Sequence, residues 1–284
     1  MASLWTGILL RIAKHWIAGE TREDAFARAQ RSNTRNVRVI LNRLGEETTS
    51  REETTAATTE YLEILDTLKS RQIKGCISVK PTQLGLSIDP SLFRDNLDKI
   101  QKKAKSLGTF VWVDMEGSPF TGQIVDSYID ARRKHDNIGI AVQAYLKRSS
   151  EDVDRILDLG GAIRLCKGAY NESPSIVYKR RKQIDERFSE LMRTMFERGR
   201  GFAVATHDEK LIEEAIRLSN VHHADFEFEM LMGIRDKKKL ELVQRGYRVS
   251  EYVPFGKSWW AYSKRRIREH KSNIFLLARS LVSG

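Results

Sequence analysis

The 284-residue chain is 40% hydrophobic and 31% charged, a length and balance that suit a globular unit with a large core and exclude disorder as the default. Two cysteines, Cys76 and Cys166, are too few for a disulfide framework and stand in no metal-ligand spacing, so reduced thiols in a cytoplasmic setting, and no metal, are expected. The net charge of +11 favours an anionic partner, whether nucleic acid, membrane surface or acidic ligand.

Leu4 to Ile17 lacks the long apolar core and small-residue cleavage site of a signal peptide. Trp5, Ile8, Leu9, Ile12 and Trp16 fall at helical spacing with Arg11, Lys14 and His15 opposite. This segment either packs on the body of the protein or lies peripherally on a membrane surface. No run of 18 apolar residues exists, so no transmembrane helix is expected.

Eight short β-branched, apolar runs follow: 37–41, 75–80, 109–114, 138–143, 162–167, 202–206, 225–231 and 248–253. They read as strands buried on both faces of a parallel sheet. Segments of helical period lie between them. Phe93, Leu97, Ile100, Ala104 and Leu107 share one helix face, as do Ile184, Phe188, Leu191 and Met195, and Leu211, Ala215 and Leu218. The alternation predicts an α/β protein of one domain, residues 1–284: a (β/α)8 barrel over 37–284 behind a helical extension, 1–36. An open doubly wound sheet is the alternative, but no strand runs into a G-x-G-x-x-G turn.

The basic clusters 179–182 and 237–239 sit in helical stretches with intermixed acids and read as solvated helix faces. No nucleic-acid-binding motif accompanies them. A basic nucleic-acid-binding protein is the remote alternative; it predicts affinity falling steeply with salt.

Barrel chemistry gathers at the C-terminal ends of the strands. There the sequence places Glu46, Lys80, Asp114, Glu116, Gln143, Arg164, Lys167, Tyr170, the run Thr206-His207-Asp208, and Tyr252. Singly, each has an ordinary explanation, such as an Asp capping a helix. Six strand ends presenting charged or aromatic groups to one mouth point to a pocket. Beyond Gly256, Ser258 can cap a last helix running to about His270. Tyr262, Arg265, Arg266 and Glu269 share one of its faces. Paired arginines with a carboxylate one turn on can clamp an anion; a solvated ion-pair face is the alternative.

The runs Ile163-Arg-Leu-Cys-Lys-Gly-Ala-Tyr170, Ala205-Thr-His-Asp208, Phe226-Glu-Phe-Glu-Met-Leu231, Tyr252-Val-Pro-Phe-Gly256 and Arg265-Arg-Ile-Arg-Glu269 resemble, in order and spacing, those of the proline dehydrogenase family. Lys80-Pro-Thr-Gln-Leu-Gly-Leu86, Val111-Trp-Val-Asp114 and Leu44-Gly-Glu46 extend the likeness over about residues 37–270. The resemblance implies a distorted (β/α)8 barrel with FAD at the strand C-termini and the last helix packed over the mouth. It implies oxidation of L-proline to Δ1-pyrroline-5-carboxylate by hydride transfer from C5 to the flavin, the first step of proline breakdown towards glutamate.

By the same likeness Lys80, Asp114 and Tyr170 belong to the catalytic pocket. Lys80, Leu231, Tyr252, Arg265, Arg266 and Glu269 bind substrate, with the arginines on its carboxylate. Asp114, Gln143, Arg164, Lys167, Gly168, Ala169, Thr206, His207 and Glu229 bind FAD, and Glu46 gates the site. A quinone-type electron acceptor and contact with the inner face of a membrane are implied too. Two positions depart from the family pattern: Glu229, where Gln is usual, and Asn171, where several relatives carry an aromatic residue. Hydroxyproline dehydrogenase, or another FAD-bearing barrel, is the alternative; the ring-packing Tyr252 favours unsubstituted proline.

Overall fold

The computed structural model of the protein describes residues 13, 15–260 and 262–264. Its elements run α1 (Arg22–Asn33), β1 (Arg38–Arg43), α2 (Arg51–Ser70), β2 (Gly75–Val79), a 3-10 turn (Thr82–Leu84), α3 (Pro90–Ser106), β3 (Val111–Val113), α4 (Ser118–Arg132) and β4 (Ile138–Gln143). They continue α5 (Ser149–Asp158), β5 (Ala162–Cys166), α6 (Arg181–Arg198), β6 (Phe202–Ala205), α7 (Glu209–His222), β7 (Phe226–Leu231), α8 (Asp236–Gln244) and β8 (Val249–Phe255). All strand pairs are parallel and the sheet closes, β8 returning to β1 through a register from Arg38 opposite Ser250 to Arg43 opposite Phe255. The eight expected strands are therefore all present, and the closed sheet excludes the open alternative.

Strand ends differ from the sequence reading by at most two residues. Strand β8 runs on to Phe255 and includes Pro254. Proline is tolerated because pairing with β7 ends at Leu231 opposite Tyr252, so no ladder donor is lost there.

Alternation along the strands sorts the core into two compartments. Val39, Leu41, Ile77, Val79, Val111, Val113, Ile140, Val142, Ile163, Leu165, Phe228, Met230, Val253 and Phe255 face outward into one apolar core shared with the helices. Helix positions Phe93, Leu97, Ile100 and Ala104, then Phe188, Leu191 and Met195, then Leu211 and Ala215, complete it as expected. Inside the barrel a small apolar cluster of Ile40, Cys76, Trp112 and Ala203 sits with Phe110, Ala162 and Tyr252 against it. Above that plug the inward positions turn polar: Ser78, Asp114, Gln143, Arg164 and Glu229 are all buried. The expectation of strands apolar on both faces thus holds outside the barrel and fails inside it, where the site replaces the core.

Helix α1 starts at a reciprocal cap between Thr21 and Asp24 and docks by charge. Its Arg28 grips the buried Glu251 of β8 with Nε at 2.8 Å and Nη2 at 2.7 Å, while Ser32 and Lys239 of α8 donate to the same carboxylate. Lys238 and Lys239 are buried, at 7% and 2% exposure, which corrects the reading of 237–239 as a solvated face. Glu209, Glu213 and Glu241, each about half-exposed, cover the Lys238 ammonium, whereas Asp236 and the buried Glu251 draw that of Lys239 inward. The cluster at 179–182 behaves as expected at Arg181 and Lys182, whose side chains are 83% and 88% exposed and pair within their own helix.

Trp16 and Ile17 are buried and pack with Leu44, Trp259 and Tyr262. Trp16 Nε1 donates to Ser263 Oγ at 2.9 Å. The end of the N-terminal segment therefore lies on the body of the protein; Leu4, Trp5, Ile8, Leu9 and Ile12 lie outside the described residues. Residues 259–260 and 262–264 are helical, so the last helix begins where the sequence places it. Arg265, Arg266 and Glu269 lie outside the described residues.

Candidate active site

Asp114 follows β3 directly, its backbone N–H still bonded to Val79 O at 2.9 Å, so its carboxylate projects into the barrel mouth. Four neighbours converge on it. Ser78 Oγ and Arg164 Nη1 donate to Oδ1 at 2.5 and 2.8 Å. Tyr252 Oη and Lys80 Nζ donate to Oδ2 at 2.6 and 3.3 Å. Burial opposes ionisation, but Lys80 and Arg164 outweigh it and hold the Asp114 carboxyl below its ordinary value. Burial and the adjacent Asp114 push the Tyr252 phenol well up, so it stays protonated and donating. Burial likewise opposes charge on Lys80, yet the surrounding acids Asp114 and Glu46 keep it protonated.

The network continues outward. Lys80 Nζ lies 3.4 Å from Glu46 Oε1 in the loop after β1, and Tyr170 Oη donates to that carboxylate at 3.3 Å. Six residues named from the sequence, at the ends of the five strands β1, β2, β3, β5 and β8, thus form one connected set centred on Lys80 and Asp114. Inside it, Arg164 stacks with its Cζ 4.6 Å from the Trp112 ring and 5.6 Å from that of Tyr252. Its Nε edge forms an ion pair with Glu229, whose carboxyl burial pushes up to about 8.

Other expected residues fall into a second group on the same rim. Lys167 Nζ bonds Asp185 at 2.5 Å and Asp208 at 2.9 Å. Asp185 is on α6 and went unnoticed in the sequence as a site residue, because nothing about one acid on a helix marks it. Gln143 Nε2 donates to Glu116 O at 3.1 Å, and Glu116 accepts from Thr82 N and Oγ1, tying the loops after β2, β3 and β4 together. Thr206 Oγ1 accepts from Asp208 N at 3.1 Å. His207 Nε2 accepts from Leu231 N at 2.9 Å, which leaves the proton of a neutral ring on Nδ1.

Gly168 has φ +112°, and a Cβ there would lie 2.2 Å from the Tyr145 ring, so only glycine fits between strand end and aromatic wall. Ala169 beside it is exposed, as is Asn171. Ser78, Thr82 and Trp112 complete the site without having been expected. Ser78 and Trp112 sit in apolar strand runs where either could have faced the outer core.

A closed eight-stranded barrel with helices outside, and a buried cluster of acids and cations at the strand C-termini, defines a (β/α)8-barrel enzyme. A family model described as proline dehydrogenase matches residues 25–278. Among curated proteins, proline dehydrogenase 2 of Bacillus subtilis (strain 168) is 32% identical over 281 residues, covering 95% of this chain and 93% of that protein. Proline dehydrogenase of Deinococcus radiodurans is 30% identical over 281 residues, covering 96% and 91%. Among solved structures, proline utilization A from Bdellovibrio bacteriovorus, inactivated by N-propargylglycine, superposes with a TM-score of 0.88 over 96% of this chain at 23% identity. That likeness speaks for the barrel alone, and the chain spans 34% of that longer protein. The chain belongs to the proline dehydrogenase family.

Proposed function

We propose that the protein oxidises L-proline to Δ1-pyrroline-5-carboxylate with FAD bound across the strand C-termini. The observation that carries this reading is the Asp114 network, which brings Lys80, Arg164 and Tyr252 to one mouth with Glu46 and Tyr170 at its edge. The residues fit a flavin on a further observation: Arg164 Nη2 is buried with no hydrogen-bond partner among the described residues. A buried donor of that kind calls for an acceptor.

When bound, FAD supplies the hydride acceptor. Arg164, Gln143, Lys167, His207 and Thr206, with Asp114, Glu229 and the backbone of Gly168 and Ala169, hold and polarise it. Arg265 and Arg266 clamp the proline carboxylate and Glu269 orients them. Lys80, Tyr252 and Leu231 close on the ring, so that C5 is placed by orientation rather than by acid–base exchange. Glu46, in reach of Lys80 and Tyr170, gates the entrance. Proline's nitrogen must be unprotonated for its lone pair to expel the hydride.

A quinone-type acceptor and peripheral contact with an anionic membrane complete the proposal. Trp260, 46% exposed with Lys264 Nζ 5.8 Å from its ring centre, offers an aromatic–basic edge at the mouth end of β8. Binding to anionic vesicles at low salt, lost as salt rises, is the expected result; no binding at any salt removes the membrane part.

Anaerobic mixing of the purified yellow protein with proline tests the function. The expected result is bleaching of the flavin absorbance; a spectrum unmoved by saturating proline overturns it. Arg266→Lys gives a second measure, with KM for proline raised about 10- to 100-fold by loss of a charge-assisted fork.

A further inference from the structure

Two buried carboxylates share Arg164, and they are not equally well served. Asp114 receives Ser78, Tyr252, Lys80 and the Nη1 edge of Arg164. Glu229, 3% exposed, has only the Nε edge of Arg164, and its Oε1 has no hydrogen-bond partner among the described residues. Its strand neighbours offer no charge: Ala205 of β6 and Ser250 of β8 stand opposite it. The titratable and charged groups facing it are Arg164 from β5, Asp114 from β3, Glu227 from its own strand and the Cys76 thiol from β2. Lys80, the other buried cation of the site, is taken up by Asp114 and Glu46. Three of the four groups around Glu229 thus add no positive charge, and burial pushes its carboxyl up to about 8.

We propose that Glu229 is a positioning residue that acts through Arg164: its carboxylate fixes the Nε edge of the guanidinium, and its charge sets how strongly that guanidinium stabilises negative charge gathered at the strand C-termini. The inference rests on the flavin reading above and needs no contact between Glu229 and the cofactor. Protonated, Glu229 leaves Arg164 paired with Asp114 alone and the positive field at the mouth undiminished. Ionised, it sets a second negative charge against the same cation, in an interior where screening by water is weak. A reduced flavin ring gathers negative charge, so the protonated state favours reduction and the ionised state opposes it.

The test is a spectroelectrochemical titration of the flavin midpoint in the native holoenzyme, Glu229→Gln and Glu229→Asp, below and above about pH 8. Below that pH the native and Gln proteins are expected to share a midpoint. Above it the native reduction constant falls about tenfold relative to the Gln variant, about 30 mV for a two-electron couple. The Asp variant keeps a pH-dependent step at a displaced pH, because its shorter side chain withdraws from the Nε edge. Parallel curves for native and Gln proteins overturn the proposal. If the Gln variant does not fold, an unmoved step in the Asp variant overturns it equally. Bleaching by proline separates the two readings: bleaching with parallel curves removes the role of Glu229 and leaves the function standing, whereas no bleaching removes the function itself.

Discussion

Asp114 is a buried carboxylate whose two oxygens serve four donors, two of them cations. Removing its charge deprives Arg164 and Lys80 of a shared buried counter-charge, leaving each a single acid, so Asp114→Asn is expected to cost about 3–5 kcal/mol in urea denaturation of the unliganded protein. Its carboxyl is held below the ordinary 3.8, so the stability it contributes is present above that pH and is lost as pH falls through the folded value. Glu229 carries the opposite sign. Its carboxyl is raised from 4.5 to about 8, so the folded state holds the proton more tightly and stability declines as pH climbs between the two. Denaturation across that window should show the decline in the native protein and not in Glu229→Gln. At Gly168 the left-handed φ of +112° and the Tyr145 ring leave no place for a Cβ. Gly168→Ala should cost about 1–3 kcal/mol, each worth about 2–4 °C of Tm by calorimetry. The residue types at the strand ends were legible in the sequence. Their pairings were not, because Arg164 with Asp114 is a contact across 50 positions that exists only once the barrel closes.

Helix α1 is the element whose attachment the sequence conceals. Nothing in Arg28 or Ser32 announces a partner more than 200 positions away, yet Glu251 meets both, with Lys239 completing the cluster. Glu251→Gln should leave two cations short of a counter-charge, at about 3–5 kcal/mol in chemical denaturation. Faster hydrogen exchange in Arg22–Asn33 than in α3 should accompany it, because α3 docks through Phe93, Leu97, Ile100 and Ala104 and makes no contact with Glu251. Unchanged exchange in α1 with a full loss of stability would contradict local docking. The helices that the sequence revealed best, α3, α6 and α7, are those held by apolar periodicity, a signal that survives without knowledge of neighbours. Lys239 misled for the converse reason: charge reads as exposure until an opposing acid, here the buried Glu251, is known to wait inside.

At the scale of the molecule, closure is what removes every free sheet edge. Strand β8 pairs with both β7 and β1, so a chain ending after Arg248 would open two edges at once. Such a truncation is expected to aggregate and to lose cooperative thermal unfolding by circular dichroism; a soluble, cooperative product would show that closure is dispensable. Closure also makes the interior narrow. With Trp112, Ile40, Cys76 and Ala203 filling the lower layer, the polar groups above them have no room to turn away from one another, and they must pair.

The sequence by itself determined the number and order of strands, the apolar faces of the helices, the absence of a glycine-rich dinucleotide turn and the polar character of the strand ends, because period and composition are local properties. Its motifs carried the family as well, since their order along the chain needs no folding. Only the tertiary structure decided which inward side chains meet: that Ser78 serves Asp114, that Asp185 meets Lys167, and that Glu229 leans on one edge of a single arginine. The physical reason is that electrostatic pairing depends on distances of a few ångströms between elements far apart in sequence, and those distances are set by barrel closure alone.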